Sequence, residues 1–131
     1  MKPEEHLKAF EEHKEAIFEW ALKIKGLEKS QRTVGLHVGR GIIELLSAVL
    51  ESKGKIKPGM QLNHRWFKSP RVGERLPDFP RKERILTDIV ELENLSENLS
   101  YGSPKPEEEI KKAVSLFKKL EREIKELENE N

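Results

Sequence analysis

The chain has 131 residues, the size of one domain and enough to bury a core without a metal or disulfide staple. It has no cysteine, so disulfides, thiolate metal sites and thiol catalysis are excluded. Charged residues make up 37% of it, yet the net charge is only +1, a dense and balanced Glu/Lys surface in the style of thermophile proteins.

The sequence begins MKPEEHLKAF, without an apolar leader, and no apolar run approaches the roughly 20 residues that span a bilayer. A cytoplasmic protein with no membrane partner is expected. Helix 1 is predicted from Pro3 to Lys25. Pro3 suits a first turn, Glu4 and Glu5 complement the positive helix end, and Gly26 is a stop signal. Leu7, Phe10, Ile17, Trp20, Ala21, Ile24 and Leu27 mark its buried face.

Ser30 is the expected cap of helix 2, which runs to Ser52 before Gly54. Val34, Val38, Ile42, Leu45, Leu46, Val49 and Leu50 cover more than one stripe of this helix, with Ile43 beside them. A helix apolar on several sides must be covered on several sides, which makes it the centre of a bundle. Gly35 and Gly39 lie one turn apart and predict close approach of another backbone. Each costs a helix roughly 0.5–1 kcal/mol otherwise.

Residues 53–80 read as a long connection, broken by Gly and Pro and anchored by Ile56, Met60, Leu62, Trp66, Phe67, Val72, Leu76 and Phe79, with one short helix around residues 62–68. Between residues 53 and 84 there are ten Lys/Arg against three Asp/Glu, a net of +7. Helix 3 is predicted to start near Pro80, capped by Asp78 or its neighbour, and to end near Ser100 before Gly102 and Pro104. Helix 4 is predicted to begin at Pro106, with Ile110, Val114, Phe117, Leu120, Ile124 and Leu127 on a nearly heptad face. Residues 128–131 are a polar tail expected to fray. The fold class is therefore all-α: one domain, residues 1–131, folded as a four- to five-helix up-and-down bundle with a long basic connection between helices 2 and 3.

Several residues could carry chemistry. His64, Arg65, Lys68, Arg71 and Arg75 lie in the basic connection beside Trp66 and Phe67, and Arg with aromatics suits stacking on bases and binding of phosphate. A structural alternative is that Trp66 and Phe67 anchor the connection while its cations pair with acidic helices. On helix 2, Arg32 and His37 form an R-x4-H string with Arg40 close by. An Arg can stabilise phosphate charge and a His can exchange a proton near neutral pH. The structural alternative is an exposed Arg32 and a His37 facing the packed interior. His6 and His13 are seven residues apart, too far for the usual helical metal pair, so no metal and no cofactor is expected.

The order of elements and the local strings RGIIELLSAVL, LNHRWFKS, ENLSYGSPKP and EEEIKKAVSLFKKLEREI resemble the HEPN family of the nucleotidyltransferase substrate-binding superfamily, over about residues 6–128. The resemblance implies a homodimeric helical bundle, partnered with a small nucleotidyltransferase or acting on RNA or nucleotides, often within toxin–antitoxin pairs. Active members carry an R-x4-6-H motif late in the chain that cleaves RNA. Around residues 98–101 this sequence has neither the Arg nor the His. The expectation is thus a non-catalytic partner module, with a divergent metal-independent RNase and a plain dimeric scaffold as alternatives.

Overall fold

In the computed structural model, which describes residues 2–101 and 103–130, the chain is an all-α bundle. Helix α1 spans Pro3–Glu15 and continues as π-helical turns over Ala16–Lys25. Helix α2 spans Gln31–Ser52, α3 Lys82–Ser100 and α4 Glu107–Glu126. The central position expected for the second helix is observed. Helix α2 packs against α1, α3 and α4, and Ile42, Leu46 and Val49 are each 0% exposed. By length and hydropathy α2 passes as a membrane span, contrary to the reading that no run comes near that limit. Yet 72% of its most apolar window lies inside the bundle, as befits a core helix.

The glycines explain how three helices can crowd α2. A Cβ on Gly35 would stand 2.8 Å from the backbone nitrogen of Ser100, and one on Gly41 3.0 Å from Cβ of His13. Gly39 leaves room for the Glu93 carboxylate. On the far side Phe10 of α1 stacks on Phe117 of α4 with ring centres 5.8 Å apart.

Local detail departs from the sequence pattern at several points. Trp20 and Ile24, assigned to the buried face of helix 1, are 60% and 65% exposed. The i→i+5 winding after Ala16 rotates successive side chains away from the phase of an α-helix, so a stripe extrapolated at 3.6 residues per turn misses. Ser30 precedes α2 but does not cap it through its side chain; its hydroxyl donates instead to the Gly26 carbonyl at 2.5 Å. Helix α3 starts at Lys82, near Pro80 as expected, with Arg81 in a left-handed conformation (φ 58°) just before it. Asp78 provides no cap and instead lies 3.5 Å from the Lys82 ammonium. Gly102, expected to help stop this helix, lies outside the described residues.

The connection holds two 3-10 turns, His64–Lys68 and Pro70–Arg75, in place of the single short helix expected. Asn63 and Ser69 side chains accept the backbone N–H groups of Arg65 and Arg71, a capping bond at the head of each turn. Ile56, Leu62, Phe67, Val72, Leu76 and Phe79 are buried, and both turns rest on α3. At the other end of the chain, Leu127 is buried, Leu127–Asn129 form a 3-10 turn, and Glu130 is held by Arg81 and Lys53.

Candidate anion-binding face on the central helix

The two halves of α2 have different surroundings. Residues 41–51 are all buried except the half-buried Glu44. In the first half, Val34, Gly35, Val38 and Gly39 are buried, whereas Arg32, Leu36 and Arg40 are exposed. Those three recur every four residues and so form one stripe on an uncovered helix face. Among the described residues, neither Arg32 nor Arg40 forms an ion pair.

Residues from both flanks converge on this stripe. From α1, His13 meets His37 of α2 with their Nδ1 atoms 2.9 Å apart and ring centres 5.1 Å apart. His37 is half-buried beside α1, contrary to the expectation that it faces the packed interior. Burial first, then the His37 and Arg40 charges, hold the His13 imidazole below its ordinary 6.5, against the opposing pull of Glu44 and Glu12. Burial and then Arg40 lower His37 in the same direction. Two imidazoles that share one hydrogen bond must have one Nδ1–H donor and one bare Nδ1 acceptor.

From α3, Glu93 lies against Gly39 with only 6% exposure. Burial raises its carboxyl above the usual carboxylate value. The hydrogen bond and charge of His64, and the charges of Arg40 and Lys68, work against that rise without cancelling it. His64 Nδ1 stands 3.4 Å from Glu93 Oε1, and Lys68 pairs with Glu97 at 3.1 Å. Arg40 thus stands between an imidazole pair on one flank and a buried carboxyl with its own imidazole on the other. At the start of α2, Arg32 lines a groove of about 350 Å³ with Glu28, Lys29, Gln31, Leu99, Tyr101 and neighbouring residues, so that one carboxylate shares it with two cations. Tyr101 is 67% exposed.

The sequence candidates therefore divide. Arg32, His37 and Arg40 are gathered on one face, and His64 and Lys68 approach it through Glu93 and Glu97. The remaining cations of the connection lie elsewhere. Arg71 pairs with Glu74 at 3.2 Å, and the Arg75 guanidinium sits 5.4 Å over the Trp66 ring. Together with Arg65 they line a separate groove of about 430 Å³. Phe67 is fully buried, Trp66 is half-buried and Arg65 is exposed, which matches the structural alternative for this segment. In the sequence His13 enters only as half of a His pair too widely spaced for a metal, and Glu93 is not singled out. The repeat of polar residues on α1 and α2 at seven-residue spacing is the available signal for His13. Among the described residues no group of three or more His, Asp or Glu is placed to hold a metal ion. No protein-family model, curated protein or solved structure matches this chain.

Proposed function

We propose that the chain is a non-catalytic, HEPN-like module that binds the phosphate groups of RNA or nucleotides, works as a homodimer, and is the partner of a small nucleotidyltransferase in a toxin–antitoxin-like system. The observation that carries the binding part is the Arg32–Leu36–Arg40 stripe: two guanidinium groups that form no ion pair among the described residues, on the uncovered face of a largely buried helix. Buried or paired cations give phosphate little to gain, whereas unpaired Arg offers a planar fork matched to phosphate oxygens. Exposed Tyr101 at one end and exposed Trp20 on α1 supply faces for base stacking. The uncovered stripe, with Leu36 at its middle, also offers an apolar contact for a second copy, and the family resemblance supplies the nucleotidyltransferase partner.

The test is titration of a labelled single-stranded RNA and of a nucleotide at several salt concentrations. We expect binding that weakens steeply with salt. Combined Arg32→Ala and Arg40→Ala should reduce it more than combined Arg65→Ala, Lys68→Ala and Arg71→Ala. A larger loss in the second set would place the anion site in the connection, and absence of binding at about 50 mM salt, near the low end where such contacts are strongest, would remove the binding reading. Light scattering at micromolar concentration tests the dimer, and co-purification with the product of a neighbouring nucleotidyltransferase gene tests the partner.

One observation favours a second reading, a divergent metal-independent RNase. The His13–His37 contact leaves Nε2 of each ring without a hydrogen-bond partner among the described residues. In the neutral pair the accepting ring carries its proton on Nε2 and the donating ring presents a bare Nε2, so one acid and one base stand side by side near Arg40. RNA cleavage lost in His13→Ala and in His37→Ala would establish it; no cleavage leaves the binding module.

A further inference from the structure

The polar residues between α1 and α2 form a ladder. His6 and His13 on α1 are seven residues apart, as are His37, Glu44 and Glu51 on α2. Running antiparallel, the helices interleave them. His6 is 1% exposed, donates Nδ1–H to Glu44 at 2.6 Å, and has Nε2 3.4 Å from Glu51, whose side chain is 3% exposed. His13 and His37 make the next rung. Beyond that rung come the π-helical turns of Ala16–Lys25, with exposed Trp20 and Ile24, and then Gly26 in a left-handed conformation (φ 82°).

The two rungs differ in what faces each ring. At the first, the His6 ring has a carboxylate near each nitrogen, Glu44 at Nδ1 and Glu51 at Nε2. At the second, the neutral pair shares one Nδ1–H; a first added proton goes to the bare Nε2 of the donating ring and leaves that bond in place, and a second added proton, on the accepting Nδ1, leaves two tilted imidazolium rings with no acceptor between them. The charged and titratable groups around that second rung are Glu12 and Lys14 on α1, and Arg40 and Glu44 on α2. Lys14 is already bonded to Glu121 of α4 at 2.8 Å, and Glu44 is bonded to His6. The α4 residue beside it, Phe117, packs near Gly41 and is apolar.

We propose that the His13–His37 contact is an acid-released latch. The second added proton parts α1 from α2 at this rung, and the Ala16–Lys25 segment swings on the His6–Glu44–Glu51 clamp, which stays closed. The lowered proton affinity of both rings sets the sign. The unfolded or unlatched chain binds more protons than the latched one below the ordinary value of 6.5, so the latch holds above that pH and weakens as pH falls toward the lowered values. This inference does not depend on the phosphate-binding reading, since it needs no ligand.

Trp20 reports the movement, and Trp66 is the only other tryptophan. In a Trp66→Phe background, fluorescence is followed from about pH 8 to about pH 5, a window that brackets the ordinary His value. The expected result is a single step below pH 6.5 (the ordinary His value) with unchanged helical circular dichroism. That step should be lost in His13→Asn and in His37→Asn, and kept in His64→Asn. No step, a step that survives His37→Asn, or a step accompanied by loss of helicity overturns the latch. Hydrogen exchange of wild type at the two pH extremes, expressed as protection relative to the intrinsic rate at each pH, is the second reading: lower protection at acid pH confined to residues 14–26 supports the latch, and a uniform or absent change in protection overturns it.

Discussion

The two ends of α2 are built from the same helix and differ in what covers them. Residues 41–51 lie under α1, α4 and the folded connection, and their side chains are core. Residues 32–40 keep one face uncovered, and that face carries Arg32, Leu36 and Arg40. A single amphipathic period cannot describe both halves. Coverage decides which polar residues are available to a ligand and which serve the fold.

The largest expected effect is in the covered half. Leu46 is 0% exposed, so Leu46→Ala should lower stability by about 2–5 kcal/mol in chemical unfolding. A loss below about 1 kcal/mol, well under that range, would break the comparison at its root. Next comes the open half, where the buried side of the helix is held by glycine. In Gly35→Ala the new Cβ meets the backbone of Leu99 and Ser100, which cannot rotate away, and overpacking of this kind costs about 1–3 kcal/mol. The same experiment with Gly54→Ala isolates the backbone term, because that glycine has φ 71° and open space around it.

Smaller effects concern ligand and charge. Replacing either Arg32 or Arg40 by Ala removes one cation from the bound phosphates, and should flatten the salt dependence of binding by about one unit. Smallest of all should be Arg71→Ala. Its ion pair with Glu74 is on side chains 77% and 67% exposed, so stability should move by no more than about 0.5 kcal/mol. A larger loss would mean that the connection depends on its charges and not on its apolar anchors.

The sequence carried the fold well because helices announce themselves locally. The multi-sided apolar pattern of α2 implied a central helix, and the Gly35–Gly39 pair implied a tight neighbour, which proved to be α3. What it could not carry was phase and partnership. The π-helical winding that exposes Trp20 has no local signal strong enough to distinguish it from a continued α-helix. The site was half legible. Arg32, His37 and Arg40 were visible as a cluster because they sit on one helix. His13 and Glu93 come from other helices, and only the packing of α1 and α3 beside α2 brings them in. The partners of the basic connection were illegible for a related reason: Lys68, Arg81 and Arg84 pair with carboxylates of other helices, while Arg71 and Lys82 pair locally and Arg75 lies over Trp66.

The most direct test of the central claim is hydrogen exchange along α2 and the connection, with and without a single-stranded RNA at low salt. The account expects new protection centred on residues 29–40 and on the turn at Tyr101, with little change over residues 64–75. Protection confined to residues 64–75, with α2 unchanged, would contradict it.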